Sequence, residues 1–182
     1  LRDHLIRHFA DENKIEAHEL KRLIWKAAPF TGILIESVGR WDPRTTGKRP
    51  AVLINGNSFT NQRVGIADSH QGPAADRYGH PHYSTYWVGS HTLFCLAGSE
   101  AQAELLGEEV QRELTEFSQL LAQTARLHRF QVTEMGAVAE LEESTENFVV
   151  PVTVASIYER NWAVRQQAPI LKRVSLSILL GD

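Results

Sequence analysis

Histidine is the residue type in this sequence with the clearest chemical potential, since eight of the 182 residues are histidines. Four of them lie in or beside one long loop: His70, His80, His82 and His91. His80 and His82 could bind a metal ion with Asp68 or His70 as a third ligand. However, Pro81 separates them, and the segment has no HExxH motif and no fixed ligand spacing. An exposed polar loop is the simpler interpretation, so we predict neither a metal nor another cofactor.

Other chemical groups give no stronger signal for catalysis. His4 and His8 form an i, i+4 pair that could chelate a metal, although a partly exposed helix face explains them equally well. Cys95 lies between Phe94 and Leu96, a pattern typical of a buried, inert thiol. The sequence contains no G-x-S-x-G nucleophile elbow and no glycine-rich phosphate-binding motif. We therefore predict that the protein is not an enzyme.

Charge is segregated along the chain more than it is concentrated overall. The net charge is -3, which gives no reason to expect a nucleic-acid or membrane partner. A basic segment runs from residue 40 to 63, and an acidic segment without basic residues runs from 134 to 146. Such segments can be solvated loops, or complementary surfaces of neighbouring subunits. The predicted interface residues are Arg40, Trp41, Arg44, Lys48, Arg49, Arg63, Glu140, Glu142, Glu143 and Glu146.

Composition indicates one soluble domain spanning residues 1–182. The hydrophobic fraction is 42% and the charged fraction 23%, as in ordinary globular proteins. A single cysteine excludes an intrachain disulfide. No apolar run approaches the roughly 18 residues needed to cross a bilayer.

Periodicity predicts the elements that would position these residues. Apolar residues at helical spacing predict a short N-terminal helix over residues 1–9 and, less clearly, a helical turn or two near residues 20–25. Short strands follow at residues 32–38 and 51–54. Residues 61–81 predict a long irregular loop, and such loops are generally functional or ordered by a partner.

The second half of the chain carries the clearest patterns. Residues 83–97 predict a strand, and Ser99 caps a long amphipathic helix that should reach about Leu127. Residues 130–139 and 147–158 predict an antiparallel hairpin, with Pro151 at a sheet edge or a bulge. A last strand is expected at residues 174–180. The predicted fold is α+β, a mainly antiparallel sheet with one long helix packed on a face.

This order of elements resembles the tail terminator (tail completion) proteins of long-tailed bacteriophages. The resemblance rests on His91-Thr92-Leu93-Phe94-Cys95-Leu96-Ala97-Gly98-Ser99-Glu100-Ala101-Gln102-Ala103-Glu104, a strand that turns directly into the long helix. It also rests on the segment leading to Pro50-Ala51-Val52-Leu53-Ile54, on Asn147-Phe148-Val149-Val150-Pro151-Val152-Thr153-Val154, and on the Tyr158, Trp162 and Ala168-Pro169 ending.

The resemblance implies a structural virion protein of the phage neck, assembled in the host cytoplasm. It would form a homo-oligomeric ring, usually a hexamer, that caps the tail tube and meets the head-closure or connector protein. DNA would pass through the channel without sequence-specific binding. Another neck protein, a metal-dependent hydrolase using His70, His80 and His82, and a monomeric or dimeric binding module are the alternatives.

Overall fold

The computed structural model describes residues 1–27, 31–40, 50–62, 82–141 and 144–163. The α-helices are α1 (Arg2–Phe9), α2 (Glu100–Glu116) and α3 (Ser118–Thr124). Two 3-10 helices cover His18–Leu20 and Val38–Arg40. The strands are β1 (Leu34–Ser37), β2 (Ala51–Gln62), β3 (His82–Ala97), β4 (Arg129–Met135), β5 (Ala139–Leu141) and β6 (Ser144–Ala163).

These strands form one six-stranded sheet in the order β1-β2-β3-β6-β4, with β5 also paired to β6. β1 runs parallel to β2, with Leu34 opposite Ala51. β4 and β5 run antiparallel to β6. The predicted α+β fold with a mainly antiparallel sheet is therefore confirmed, as is the predicted hairpin.

The main core lies between the helices and one face of the sheet. Strand alternation places Leu93 and Cys95 of β3 in this core together with Leu106 and Val110 of α2. Leu96, which has the opposite parity on β3, belongs to a separate small cluster with Ala51 and Leu53. The period-two pattern thus sends alternate β3 side chains into two apolar layers.

α2 begins where its sequence signals predict. The Ser99 hydroxyl accepts a hydrogen bond from the backbone N–H of Gln102 at 3.4 Å, so the predicted N-cap is confirmed. Leu106, Val110 and Leu114 are fully buried along the predicted stripe. The helix therefore packs through the face that the heptad-like spacing indicates.

The prediction of one helix continuing to Leu127 is not confirmed. α2 ends at Glu116, and Phe117 has φ -96° and ψ 14° before α3 begins. Thr115 donates a hydrogen bond to the carbonyl of Gln111 at 2.7 Å. A threonine hydroxyl that bonds to the carbonyl four residues earlier bends a helix. This accounts for the break at Phe117, two residues after Thr115.

The edge position considered for Pro151 is wrong, because β6 lies between β3 and β4. Pairing with β4 ends at Met135 opposite Val152, and pairing with β5 starts at Ala139 opposite Val149. Pro151 lies opposite this interruption and accepts a hydrogen bond from the N–H of Gly136 at 2.8 Å. A proline is tolerated there because no ladder N–H is needed on that side.

Two other predicted elements differ from the structure in extent, and two more cannot be compared with it. The predicted strand 51–54 continues to Gln62, and the helical turns near residues 20–25 reduce to the 3-10 helix His18–Leu20. Most of the predicted loop 61–81 and the whole predicted strand 174–180 lie outside the described residues.

The chain divides into two compact units. The first contains Leu1–Thr60 and Trp87–Tyr158, and the second contains Asn61–Tyr86 and Glu159–Asp182. Within the second unit, the rings of Tyr83 and Trp162 stack with centroids 5.6 Å apart. Trp162 remains 39% exposed.

We predict that Gly107→Ala lowers the free energy of unfolding by about 1–2 kcal/mol. A Cβ at Gly107 would lie 2.7 Å from Val150 Cγ1, so the new methyl group overpacks the contact of α2 with β6. Alanine normally stabilises a helix relative to glycine by about 1 kcal/mol, so a net loss of stability would be due to the packing conflict. Urea unfolding measures the change.

Gly98→Ala is the control, since no atom lies within 4 Å of a Cβ at that position. A Val150→Ala background should make Gly107→Ala less costly than it is in the wild type. An equal cost in both backgrounds would show that Val150 does not restrict the approach of α2.

Candidate functional site

Only part of the predicted charged interface can be located. Arg40 and Glu140 are exposed, and no ion pair joins them. Arg40 Nη1 lies 3.7 Å from Glu36 Oε1, a surface ion pair of little energetic value. The side chains outside the described part of the chain are those of Trp41, Arg44, Lys48, Arg49, Arg63, Glu142, Glu143 and Glu146.

Most of the predicted histidine loop also lies outside the described residues. His70, His80 and Asp68 lie outside the described residues, and His82 is the exposed first residue of β3. Within the described ranges, no group of three histidine, cysteine, aspartate or glutamate side chains is arranged to hold a metal ion.

The structure instead brings together a buried polar network between α1 and α2. His8 Nε2 is hydrogen-bonded to Glu109 Oε1 at 2.8 Å, and both side chains are almost fully buried. His8 Nδ1 lies 3.0 Å from Glu113 Oε2, and His4 Nε2 lies 2.8 Å from Glu113 Oε1. These two contacts have ion-pair distances without hydrogen-bond alignment. Two carboxylates thus surround the His8 ring.

Helical spacing explains how the four side chains meet. His4 and His8 are four residues apart on α1, and Glu109 and Glu113 are four residues apart on α2. Residues at this spacing share one helix face, so each helix presents a pair to the other. The adjacent residues Leu5, Phe9, Val110 and Leu114 are fully buried, which brings the polar pairs together at the core boundary.

Arg112 completes the network on the side of Glu109. Its Nη2 donates to Glu109 Oε1 at 2.6 Å, and its Nε lies 3.0 Å from Glu16 Oε2. Burial alone would raise the pKa of Glu109. The hydrogen bonds from His8 and Arg112, the charge of Arg112 and the N–H of Glu16 outweigh burial, so the pKa of Glu109 lies below its ordinary value.

His4 behaves differently because it has a partner on one side only. Burial lowers the pKa of His4 below its ordinary value, and the nearby charge of Glu113 only partly opposes this effect. His4 also contacts Phe117, with ring centroids 5.5 Å apart. The neutral imidazole is therefore the favoured form at neutral pH.

A cleft of about 360 Å³ borders this network. His4, His8, Arg112 and Glu113 form its inner wall, and the outer wall is lined by Arg7, Lys14, Glu116, Phe117 and Leu120. The side chains of the inner wall hold α1 against α2, since each charged group there faces a group of opposite charge or a histidine. The outer wall is the part accessible to a ligand or a partner chain.

Aromatic side chains form a second feature, on the strands of the first unit. Phe59 contacts His91 and Tyr158, with ring centroids 5.9 Å apart in both pairs, and Trp87 stacks on Tyr158. Burial lowers the pKa of His91. A groove of about 310 Å³ opens beside Phe59, His91 and Tyr158, and Phe59 is 40% exposed.

Cys95 matches its sequence prediction. The thiol is fully buried, and burial raises the pKa of Cys95 far above its ordinary value. The thiolate that nucleophilic chemistry needs is therefore disfavoured.

Sequence reasoning missed Glu109, Arg112 and Glu113 and gave His4 and His8 only a general role. A signal was present, because Glu109 and Glu113 fall beside the apolar stripe of α2 at helical spacing. Acidic residues at the edge of a buried face require a buried partner. The i, i+4 histidine pair on α1 has the matching spacing.

Comparison with known proteins adds no assignment: no protein-family model matches this chain, and no curated protein is significantly similar to it in sequence. None of the helices within the described ranges is long and apolar enough to cross a membrane.

We predict that Glu109→Gln lowers the free energy of unfolding at pH 7 by about 3 kcal/mol, because it removes one partner from a buried ionic network. Since folding depresses the Glu109 pKa, its contribution is complete above the ordinary carboxyl pKa. It is lost as the pH falls through the lower folded value. Urea unfolding from pH 3 to pH 7 measures both effects.

Glu104→Gln, an exposed substitution on the same helix, is the matched control. The wild type and the control should lose stability on acidification, whereas Glu109→Gln should show a shallower acid dependence. Parallel pH profiles for all three proteins would contradict an ionised Glu109 in the network.

Proposed function

We propose that this chain is a structural virion protein that assembles into a homo-oligomeric ring, as tail terminators do. The ring, a hexamer by the family's usual size, would cap the phage tail tube and join it to the head-closure or connector protein. The observation that carries assembly is the exposure of large aromatic side chains on the strands, Phe59 and Trp162. Aromatic residues are enriched in the buried centres of protein interfaces.

The tail-terminator assignment is supported by the order of elements. β3 ends at Ala97, and the cap Ser99 starts α2 directly, as the sequence resemblance requires. The hairpin of β4 with β6 follows the helices. This layout is the basis for preferring a phage neck protein over an unrelated oligomer.

The polar network supports a structural role. Its histidines and carboxylates face one another across α1 and α2, and the thiol of Cys95 is buried away from any surface. The network can hold a terminal helix in place without a substrate. We therefore propose that the protein is not an enzyme and needs no cofactor.

The remaining partners follow from the ring. DNA would pass through the channel without sequence-specific contacts, consistent with the net charge of -3. The protein would reside in the virion neck after assembly in the host cytoplasm. Another neck protein, either a head-closure or a connector component, is the second candidate, since the same exposed aromatic residues would serve its assembly.

We predict that the purified protein forms a particle of about six times its 20.5 kDa chain mass, alone or after addition of tail tube protein. Light scattering across a concentration series measures the mass. Terminator function further predicts that the ring stops polymerisation of the tube protein. Binding to the connector without an effect on the tube would favour the other neck protein, and a monomer indifferent to both would contradict the proposal.

We predict that Trp162→Ala weakens assembly at least tenfold, because an exposed tryptophan at an interface contributes as an anchor. Its exposed position should leave the cooperative unfolding of the first unit unchanged. Light scattering gives the association constant, and thermal unfolding provides the folding control. Wild-type assembly by the variant would show that Trp162 lies away from the interface.

A further inference from the structure

We propose that the cleft between α1 and α2 binds the acidic segment 140–146 of a second copy of this chain. This inference rests on the proposed ring and names the two surfaces that would meet in it. The first surface is the outer wall of the cleft, with Arg7 and Lys14. The second is the segment that begins at Glu140.

The cleft contains two cations that form no ion pair with a described residue. Arg7 is exposed, and its Nε donates only to the carbonyl of Asp3, at 3.1 Å. Lys14 is also exposed, and neither side chain has an ion pair with any residue in the described ranges. Both line the same cleft, so their charges act on whatever enters it.

The acidic residues of the cleft already have partners. Glu113 faces both His4 and His8, and Glu116 Oε2 lies 3.2 Å from Arg112 Nη1. Arg112 is in turn occupied by Glu109 and Glu116. The charge available to a partner is therefore positive, even though cations and acids both line the cleft.

The rim of the cleft strengthens this preference. Phe117 is 40% exposed and Leu120 is 51% exposed, and both line the cleft beside the cations. A partner segment covering these side chains would exclude water from Arg7 and Lys14. Ion pairs become stronger as the surrounding dielectric falls, so apolar cover and charge pairing would act together.

The acidic segment 140–146 carries the complementary charge. Glu140 is exposed on β5 and has no ion pair with a described residue. Glu142, Glu143 and Glu146 follow within six residues, and no basic residue occurs between positions 134 and 146. The segment is thus the densest run of uncompensated negative charge in the sequence, and charge complementarity selects it as the occupant.

The proposed pairing joins different copies. Glu140, Arg7 and Lys14 belong to the same compact unit, and no ion pair joins Glu140 to either cation within one chain. Each copy therefore offers one cationic surface and one acidic segment. A contact between unlike surfaces is heterologous, and its repetition forms a ring when the rotation between copies closes.

The test compares charge-reversed variants by light scattering at 50 and 300 mM salt. The double variant Arg7→Glu/Lys14→Glu should assemble at least tenfold more weakly than the wild type, and so should Glu140→Lys/Glu143→Lys. The chain carrying all four substitutions should regain assembly, because both surfaces are reversed together. Recovery cannot result from misfolding, since the fourfold variant carries every substitution of both doubles.

Arg22→Glu/Lys26→Glu is the matched control. It makes the same change in total charge, but at two exposed cations that do not line the cleft. It should assemble as the wild type does. Higher salt should weaken wild-type assembly, because solvent-accessible ion pairs are screened.

The outcomes separate this inference from the proposed function. A wild-type ring with unchanged cleft variants, or without recovery in the fourfold variant, would overturn the inference and leave the ring proposal standing. If the cleft variants form rings that no longer bind tube protein, the cleft is the binding site for tube protein. That result would also overturn the inference. A wild-type monomer under every condition, including with tube protein, would remove the proposed function itself.

Discussion

The fit of α1 against α2 depends on a small number of buried charges that must satisfy one another. His8 is enclosed by Glu109 and Glu113, and Glu109 is held in turn by Arg112. A buried carboxylate without such partners would lower the free energy of unfolding by about 3–5 kcal/mol. The stability of each of the four groups therefore depends on the other three. The N-terminal helix, with Leu5 and Phe9 in the core, depends on this condition.

The sheet provides the rigid support for that contact. β6 is an interior strand that pairs with β3, β4 and β5, and its Val150, Val152 and Val154 are fully buried. Gly107 allows α2, which carries Glu109 and Glu113, to approach Val150 closely. Packing against the sheet therefore fixes the position of the polar network, and the network fixes α1.

The same arrangement determines what remains on the surface. The glutamates of α2 are paired within the network, and Arg7 and Lys14 on the outer wall of the cleft form no ion pair with a described residue. The aromatic side chains on β2 and β6 are likewise only partly covered by their own chain. In the proposed assembly, association would cover these aromatic side chains and pair these cations.

The sequence by itself determined the elements, since their signals are local. The Ser99 cap, the stripe of Leu106, Val110 and Leu114, and the alternation of β3 each depend on spacing within one segment. Only the tertiary structure decided that His8 meets Glu109, because 101 positions separate them and no local pattern encodes that contact. It also decided the break at Phe117 and the interior place of β6 between β3 and β4, since both reflect competition between local preferences and packing of the whole sheet.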